Sequence, residues 1–577
     1  MSDWGPSHQY RHPPRDRKWV PVAVLVVLWV LTWWRFSNGA TGIGDALGWA
    51  VRWMVAITLA LVAVKVLRRV APWRRWRSSG LVEGLADRPA ARIGGSGSPG
   101  EAARAQCARH GGGAFLGFGP GGRWLGADAE HAVMVLGPPR SGKTSSIVIP
   151  SLLACPGAAV STSTKPDVLQ ATARARGEVG ELWLFDPTGT TDPGLGARRL
   201  CWSPVAAGAT WDGALLMARA MAACSSAGKG TMNESHWTER SAALLAPLLH
   251  AACLDGRAIT DVVRWVLRQD LDGAAVILED HAAEVAGDVL IGIASTEERE
   301  RSSIFSATAG VLGAYNSDAA RQAAKDRNFD VPAFVGSSDT VYITAPAHRQ
   351  GLIAPLVVGL LEEIRHATYE RHRQGGAGLP VFFCLDEVAN IAPMHDLPAL
   401  ASEAGGQGLH LLCCLQDLSQ ARLRWGDQAA DGFASLFQTK VILSGIADPK
   451  TLEGISLALG EYDRQLVSHT IGLSRTGLMG PPTASESVSY STQRQRTLSP
   501  GEIARLPAGH ALLLHGVNWG LLRLTPWHRA APWPAVAQAE APALPAPARS
   551  GRLARGMVLD AHGAIVHPVI KQREEVS

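Results

Sequence analysis

The segment GPPRSGKT at 137–144 constrains this chain more than any other feature of its sequence. It has the spacing G-x-x-x-x-G-K-T, in which a tight glycine turn lets successive backbone N–H groups point at phosphate oxygens, and a helix N-terminus adds its positive end. An apolar run, VMVL, precedes the segment, and an apolar helix is expected from Ser145 onward. This order predicts a nucleotide-binding α/β domain rather than the alternative, a glycine turn beside a surface lysine.

The residues of this loop have expected roles in binding ATP. Lys143 is expected to reach the β- and γ-phosphates, and Thr144 to hold Mg²⁺ through its hydroxyl. The two glycines permit the turn that the backbone needs. The residues predicted to bind the nucleotide are Gly137, Pro138, Pro139, Arg140, Ser141, Gly142, Lys143, Thr144 and Ser145.

An acidic pair, Asp386 and Glu387, follows the apolar run VFFCL. A domain that hydrolyses ATP needs one carboxylate near Mg²⁺ and another that polarises the attacking water. We therefore predict that Asp386 joins Thr144 at the metal and that Glu387 acts on the water, the alternative being a solvated helix N-cap. Gln416 ends the run HLLCCLQ and is predicted to sense the γ-phosphate, unless it makes only a strand-end hydrogen bond. The predicted catalytic residues are Lys143, Asp386, Glu387 and Gln416.

Apolar runs of strand length recur between helical stretches along the chain. They lie at 133–137, 158–162, 182–186, 340–344, 381–386, 410–416 and 440–445. Continuously apolar strands joined by helices are typical of a parallel sheet covered on both faces, so we predict an α/β fold. Between Trp211 and Tyr315 helical spacing dominates, which predicts an all-helical insertion between the third and fourth of these strands.

Two apolar stretches in the N-terminal region predict two transmembrane helices. Residues 19–34 carry no charge, and a second apolar stretch, about 46–66, is interrupted by Arg52. Basic residues precede the first span and follow the second, which places both outer ends in the cytoplasm. The alternatives are a cleaved signal peptide and a buried core hairpin; the second apolar segment and the lack of an A-x-A cleavage site argue against them.

The overall composition of the chain excludes few classes of function. The net charge of +4 and the pI near 8.6 do not by themselves indicate nucleic-acid binding, so a basic surface must be local. The eight cysteines include no C-x-x-C pair, which argues against a zinc site and a disulfide framework.

Changes of composition along the chain predict five segments. They are a membrane anchor at 1–80, the first part of the nucleotide-binding domain at 81–204, an all-helical insertion at 205–329, the second part of the nucleotide-binding domain at 330–527, and an Ala/Pro-rich flexible tail at 528–577.

In combination these motifs resemble the type IV coupling proteins, the TraG/TraD-like membrane ATPases of bacterial conjugation and type IV secretion. The resemblance covers residues 15–527 and depends on the order of the motifs as well as on each one. The motifs are two N-terminal spans, GPPRSGKT, IPSLL at 149–153, FDPTG at 185–189, WSP at 202–204, LDEVANI at 385–391 and LQDLSQ at 415–420. The resemblance implies a RecA-like P-loop nucleotide-binding domain with an inserted all-α domain, assembled as a homo-hexamer around a DNA channel.

Two departures from the family pattern leave roles open. The stretch STSTKPDVL at 161–169 stands where many members have an Asp-Pro-Lys-Gly-Glu-like segment, so the roles of Lys165 and Asp167 are unassigned. The helix before the sensor glutamine lacks the arginine that the family often has there, so an arginine finger must come from elsewhere. Arg301, Arg422 and Arg424 are candidates, although each could be a solvated surface arginine.

The resemblance implies a multi-pass protein of the inner, cytoplasmic membrane whose ATPase body lies in the cytoplasm. Such a protein uses ATP and Mg²⁺ to move DNA, expected to be single-stranded and bound to a relaxase, toward the components of a type IV secretion channel. Two alternatives stay open at this point. One is a protein-export ATPase or an FtsK-like chromosome translocase, and the other is a docking receptor that uses nucleotide only for assembly.

Overall fold

The computed structural model describes residues 99–109, 111–119, 124–225, 234–376, 378–475, 482–538, 558–559 and 565–566. The two predicted membrane helices, at 19–34 and 46–66, lie outside these residues. Within the part of the chain that is described, no helix combines the length and the apolar character that a membrane span requires.

Most strands of the described residues belong to one large sheet. The strands are β1 (Phe115–Phe118), β2 (Trp124–Gly126), β3 (Val133–Leu136), β4 (Ala159–Ser163), β5 (Leu182–Phe185), β6 (Arg198–Arg199), β7 (Thr340–Thr344), β8 (Val381–Leu385), β9 (Leu409–Leu415), β10 (Thr439–Leu443), β11 (Glu461–Arg475), β12 (Pro482–Arg496), β13 (His510–His515), β14 (Asn518–Arg523), β15 (Val558–Leu559) and β16 (Ile565–Val566). Twelve of them form a sheet in the order β2-β1-β14-β13-β10-β3-β9-β8-β4-β7-β5-β6.

The eight strands of this sheet from β10 to β6 are all parallel. Strands β3, β4, β7, β8 and β9 are buried along their whole length, as expected for strands covered by helices on both faces. The prediction of an α/β fold with a large parallel sheet is therefore confirmed. The seven predicted strands correspond to β3, β4, β5, β7, β8, β9 and β10.

Four antiparallel strands extend the sheet beyond β10. Strand β13 pairs with β10, β14 with β13, β1 with β14, and β2 with β1, each antiparallel. The chain therefore returns to the sheet after residue 509 and pairs with β10, which separates it from β3, the strand that carries the glycine-rich loop. The two remaining pairs, β11 with β12 and β15 with β16, form separate two-stranded sheets.

Helices connect the strands and cover the sheet. They are α1 (Pro99–Arg109), α2 (Ile149–Ala154), α3 (Asp167–Gly177), α4 (Trp211–Cys224), α5 (Glu234–Leu254), α6 (Ile259–Arg268), α7 (Asp272–Asp280), α8 (Glu284–Ala294), α9 (Glu298–Val311), α10 (Asp318–Ala323), α11 (Val331–Val335), α12 (Gln350–Arg373), α13 (Val388–Ile391), α14 (Leu397–Glu403), α15 (Leu418–Trp425), α16 (Asp427–Leu436), α17 (Pro449–Ala458), α18 (Pro500–Ala504) and α19 (Trp533–Ala537).

A helical segment lies between β6 and β7. Helix α5 is at its centre and contacts α4, α6, α7, α8 and α9, while α12 of the nucleotide-binding part packs on α4. Trp202 of the WSP motif is 1% exposed just before this segment, and its indole N–H donates to Glu363 Oε2 of α12 at 2.5 Å. This motif therefore anchors the start of the helical segment, whose limits at 205 and 329 remain predictions.

The FDPTG motif also has a structural role in the described chain. Asp186 follows β5 and is 3% exposed. Its carboxylate accepts the backbone N–H groups of Thr188, Thr190 and Thr191 at 2.8, 2.8 and 2.6 Å. Because a buried carboxylate needs such donors, Asp186 holds the loop after β5 in one conformation.

The C-terminal segment differs from the flexible tail predicted for 528–577. Residues 528–538 are folded: α19 packs on α1, α2 and α3, and Trp533 is fully buried. The ring of Trp533 lies 4.9 Å from that of Phe115 and 5.1 Å from that of Trp124, measured between centroids. The Ala/Pro-rich composition concealed this segment because few of its residues are large and apolar, and Trp533 and Val536 are among those that it buries.

Replacing this tryptophan is expected to destabilise the nucleotide-binding part. Trp533→Ala removes a buried indole and leaves a cavity, so we expect a loss of about 3–5 kcal/mol in the free energy of unfolding. The measurement is urea-induced unfolding followed by far-UV circular dichroism. Trp533→Phe keeps a ring in the cluster and removes an indole nitrogen that has no hydrogen-bond partner, so its loss should be clearly smaller. Equal midpoints for wild type and Trp533→Ala would contradict the packing described here.

Candidate active site

The glycine-rich loop leaves the end of β3 and turns sharply. A Cβ atom at Gly137 would lie 2.6 Å from Ser141 Oγ and 2.9 Å from Leu443 Cβ of β10, so only glycine fits there. Gly142 has φ +99°, a conformation that favours glycine, and Arg140 also adopts a positive φ of 66°. The loop is therefore wound as its sequence predicts, with strain at one residue that is not glycine.

A π-helical turn, Thr144–Val148, follows the loop and leads into α2. Its start is fixed by the N–H of Ser146, which donates to Gly142 O at 2.9 Å. π-helical turns are rare and are found mostly at functional sites. The N–H groups at the start of this turn are those that a phosphate is expected to use.

The ammonium group of Lys143 lies against its own loop. Lys143 is 6% exposed, and its Nζ donates to Gly137 O and, at 3.2 Å, to Pro138 O. These two carbonyls satisfy a buried cation that would otherwise lack partners. The same ammonium can turn to an anion that binds at the loop, since Lys has three donors on a flexible stem.

The loop and the acidic pair meet directly. Thr144 Oγ1 donates to Asp386 Oδ2 at 2.6 Å, across 242 positions of the sequence. Asp386 is 5% exposed, and burial raises the pKa of its carboxyl, while the hydrogen bond from Thr144 acts in the opposite direction. Thr162 of β4 donates to the main-chain oxygen of Asp386 at 2.7 Å, so the neighbouring strand also holds this residue.

Glu387 turns out of the line of β8. It has φ +54°, which is unusual for a residue with a side chain, and its N–H donates to Asp386 Oδ1 at 3.1 Å. Asn390 Nδ2 lies 3.5 Å from Glu387 Oε2. The turn places the Glu387 side chain in the wall of the same cavity as Lys143. Strained residues of this kind cluster at active sites.

One cavity of about 650 Å³ brings these groups together. Residues 138–145 of the loop line it, together with Asp386 and Glu387, while Gly137 supports the loop from behind. A volume of this size suits a small-molecule ligand. The predicted nucleotide-binding and acidic residues therefore face one space.

Gln416 and the candidate arginines lie elsewhere. Gln416 directly follows β9 beside the start of the loop, where Gly137 N donates to Leu415 O at 3.1 Å, but Gln416 is outside the cavity lining, and its role as a sensor stays a prediction. Arg422 pairs with Asp448, and Arg424 donates to Cys224 O at 2.7 Å.

Arg301 donates to Ala294 O at 2.8 Å in the helical segment. In the described chain, the arginine that lines the cavity is Arg140. The source of an arginine finger therefore stays a prediction.

The cavity also contains residues to which sequence reasoning gave no role. Ser163 ends β4, the strand beside β8, and Thr164 and Lys165 follow it; all three line the cavity. The rule that ligands bind at the carboxyl ends of parallel strands could have found them. Trp527 and His528 line the other part, and no sequence signal indicated them because they follow the antiparallel strand β14.

The donor set fits a hard divalent cation. Mg²⁺ prefers oxygen ligands and usually binds one or two protein groups together with substrate phosphates and water. The Thr144 hydroxyl and the Asp386 carboxylate are such groups, and they already touch. Among the described residues, no group of three or more His, Cys, Asp or Glu side chains is arranged to hold a metal ion by itself.

Comparison with known families and proteins gives consistent matches. The family model described as "Type IV secretory system Conjugative DNA transfer" matches residues 99–518. Protein VirD4 of Agrobacterium fabrum (strain C58) is 25% identical over 374 residues, which are 59% of this chain and 52% of that protein. Protein VirD4 of Rhizobium rhizogenes is 24% identical over 381 residues, 61% of this chain and 53% of that protein. The chain thus spans about half the length of these curated relatives.

Solved structures show the same fold. The unbound conjugative coupling protein TrwBdeltaN70 has a TM-score of 0.53 at 19% identity, covering 71% of this chain and 88% of that one. TrwB in complex with an ATP analogue, ADPNP, has a TM-score of 0.53 at 18% identity, covering 71% and 89%. TrwB in complex with ADP and Mg²⁺ has a TM-score of 0.53 at 18% identity, covering 73% and 91%. At these identities the likeness concerns the fold.

Proposed function

We propose that this chain, which belongs to the type IV secretory conjugative DNA-transfer family and is a type IV coupling protein, is a membrane-anchored ATPase that moves relaxase-bound DNA toward a secretion channel. The observation that carries the proposal is the hydrogen bond from Thr144 to Asp386 at 2.6 Å. It joins the phosphate-binding loop and the acidic pair in one cavity, which is the arrangement that ATP hydrolysis needs.

In this proposal the loop binds the triphosphate and the acidic pair acts at its γ-phosphate. The ammonium of Lys143 exchanges the carbonyls of Gly137 and Pro138 for phosphate oxygens, which are stronger partners because they are charged. Thr144 and Asp386 would hold Mg²⁺, which supplies charge neutralisation at the β- and γ-phosphate oxygens. The complexes of TrwB with ADPNP and with ADP and Mg²⁺ support this assignment by likeness of fold.

Glu387 is the residue proposed to take a proton from the attacking water. Its carboxylate lines the cavity beside Asp386, and its backbone turn points the side chain away from the strand. A carboxylate at hydrogen-bond distance from the water orients it for attack on the γ-phosphate. Asp386, being buried and bound to Thr144, is better placed as a metal ligand than as a base.

The remaining parts of the proposal concern assembly and cargo. The predicted spans at 19–34 and 46–66 would place the ATPase body at the cytoplasmic face of the inner membrane. The family description names conjugative DNA transfer, which supports DNA and the components of a type IV secretion channel as partners. We propose a homo-hexamer around single-stranded DNA that remains bound to a relaxase.

The proposal is tested by ATP hydrolysis of the full-length chain with and without DNA. We expect turnover to rise with DNA, more with single than with double strands. We expect the rise to weaken steeply between ~50 and 200 mM salt because backbone contacts release counterions. Turnover that is indifferent to DNA would favour a protein cargo. Absence of turnover in assembled protein would favour a docking receptor.

A further inference from the structure

One part of the cavity is not used by the phosphate-binding groups or the acidic pair. Its wall is formed by Ile149 of α2, Gln170 and Ala171 of α3, and Trp527 and His528 of the C-terminal segment. These residues include two aromatic rings and two aliphatic side chains, with one amide. Such a wall suits a flat, weakly polar group rather than a phosphate.

The direction of the loop indicates which part of a nucleotide reaches this wall. Lys143 serves the β- and γ-phosphates, and Glu387 marks the γ-phosphate end of the cavity. Ser145 is the next residue into the helix, and its carbonyl accepts the N–H of Trp527 at 2.8 Å. The aromatic wall therefore begins where the loop passes into its helix. A ribose and base that continue from the α-phosphate away from Glu387 meet this wall.

The two aromatic residues differ in how they are held. Trp527 is 5% exposed, and its backbone is bonded to Ser145, so it forms a rigid part of the wall. His528 is half-buried, and burial together with the neighbouring Arg529 lowers the pKa of its imidazole. Both effects disfavour the charged form of the ring. The ring centroids of Trp527 and His528 are 5.8 Å apart, and their planes are nearly perpendicular at 87°.

We propose that Trp527 and His528, together with Gln170, bind the base of the nucleotide, and that they accept adenine and guanine alike. The assignment rests on the proposed function, since it requires that this cavity binds a nucleotide. A base parallel to one ring meets the other at right angles, and stacking does not distinguish the purines because every base has a π-face. The Gln170 amide carries both donors and an acceptor, so it can pair with the edge of either purine.

The test compares ligands with and without a base. Equilibrium binding of Mg·ATP, Mg·GTP and Mg·tripolyphosphate is measured on the full-length chain and on its His528→Ala variant. Loss of a stacking ring is expected to raise the Kd for ATP and for GTP about 10-fold each, and to leave that for tripolyphosphate within about 2-fold. Trp527→Leu, which removes the indole ring but keeps an apolar side chain, should show the same pattern. His510→Ala, outside the cavity, should leave all three ligands unchanged.

Several results would overturn the assignment. Unchanged affinities for both nucleotides in His528→Ala would show that the ring does not touch the base. An equal loss for tripolyphosphate would show that the residue acts on the phosphate loop instead. A loss for one purine alone would refute the lack of selectivity. Wild-type protein that binds none of the three ligands would overturn the proposed function itself. Lys143→Ala serves as the reference for lost phosphate binding, because it should weaken the binding of all three ligands.

Discussion

Replacing Glu387 by glutamine is expected to lower ATP turnover at least about 100-fold, because general-base catalysis contributes factors of roughly 10²–10⁴ and an amide cannot accept the proton of the attacking water. Glutamine has nearly the same size as glutamate, and the backbone turn at φ +54° can be kept. Binding of Mg·ATP should therefore be retained. The measurement is steady-state phosphate release beside equilibrium binding of a labelled ATP analogue, on the full-length chain.

The control for this variant is Glu279→Gln, an exposed glutamate of α7 outside the cavity, which should leave both quantities unchanged. In cells, Glu387→Gln should abolish DNA transfer while assembly is retained. Intact transfer would support the docking receptor, in which nucleotide serves only for assembly. Full turnover in the variant would show that another group activates the water.

Removing the ammonium of Lys143 is expected to have the second large effect, on nucleotide binding. Lys143→Ala takes away the cation that faces the triphosphate, and truncation of one partner of a buried, hydrogen-bonded charge pair is worth about 2–5 kcal/mol. The affinities for ATP and for tripolyphosphate should both fall by the corresponding factor. The carbonyls of Gly137 and Pro138 also lose their donor, so the loop should become less ordered.

The matched control is Lys450→Ala, an exposed lysine at the start of α17. It changes the net charge by the same amount without touching the cavity, and nucleotide binding should be unaffected. A general electrostatic effect would weaken binding in both variants. Retained affinity in Lys143→Ala would contradict the role of this loop in binding the triphosphate.

The parallel part of the fold could be predicted from sequence because its signal is local. Strands such as β8 and β9 are buried on both faces, so every residue from Val381 to Leu385 is apolar, and a run of this kind is recognisable in isolation. The antiparallel extension was not predicted. Strands β13 and β14 are recognisable as short apolar segments, but nothing local tells which edge of the sheet they join.

The chemistry of the site was partly predictable for a related reason. The residues of the loop and of the acidic pair have a spacing that their chemistry imposes, so Lys143, Thr144, Asp386 and Glu387 can be identified from the sequence without knowledge of their contact. Trp527 has no such constraint. A tryptophan that lines a cavity can come from any position in the sequence, so no spacing marks it. Trp527 lies beside Ser145 only because the chain returns to the sheet through β14.

The order of strands in the sheet has a consequence for how the molecule is made. Strand β3 pairs with β9 and β10, strand β4 with β7 and β8, and strand β5 with β6 and β7. None of β3, β4 and β5 is hydrogen-bonded to another of these three. These strands leave the ribosome before β7 to β10, and they form no native sheet pairings with one another. The helical segment that follows them depends on local contacts and can fold early.

During synthesis at ~5–20 residues per second, β4 therefore waits roughly ten to forty seconds for β7 and β3 waits longer for β9, while β5 has only the short strand β6 beside it. Thr144 meets Asp386 only after β8 has been made, and Ser145 meets Trp527 later still. Until these later segments have been made, the apolar residues of the early strands lack the partners that bury them in the folded sheet. The loop at 137–144 is therefore made early, but its contact with Asp386 forms only after a further 242 positions of the sequence have been synthesised.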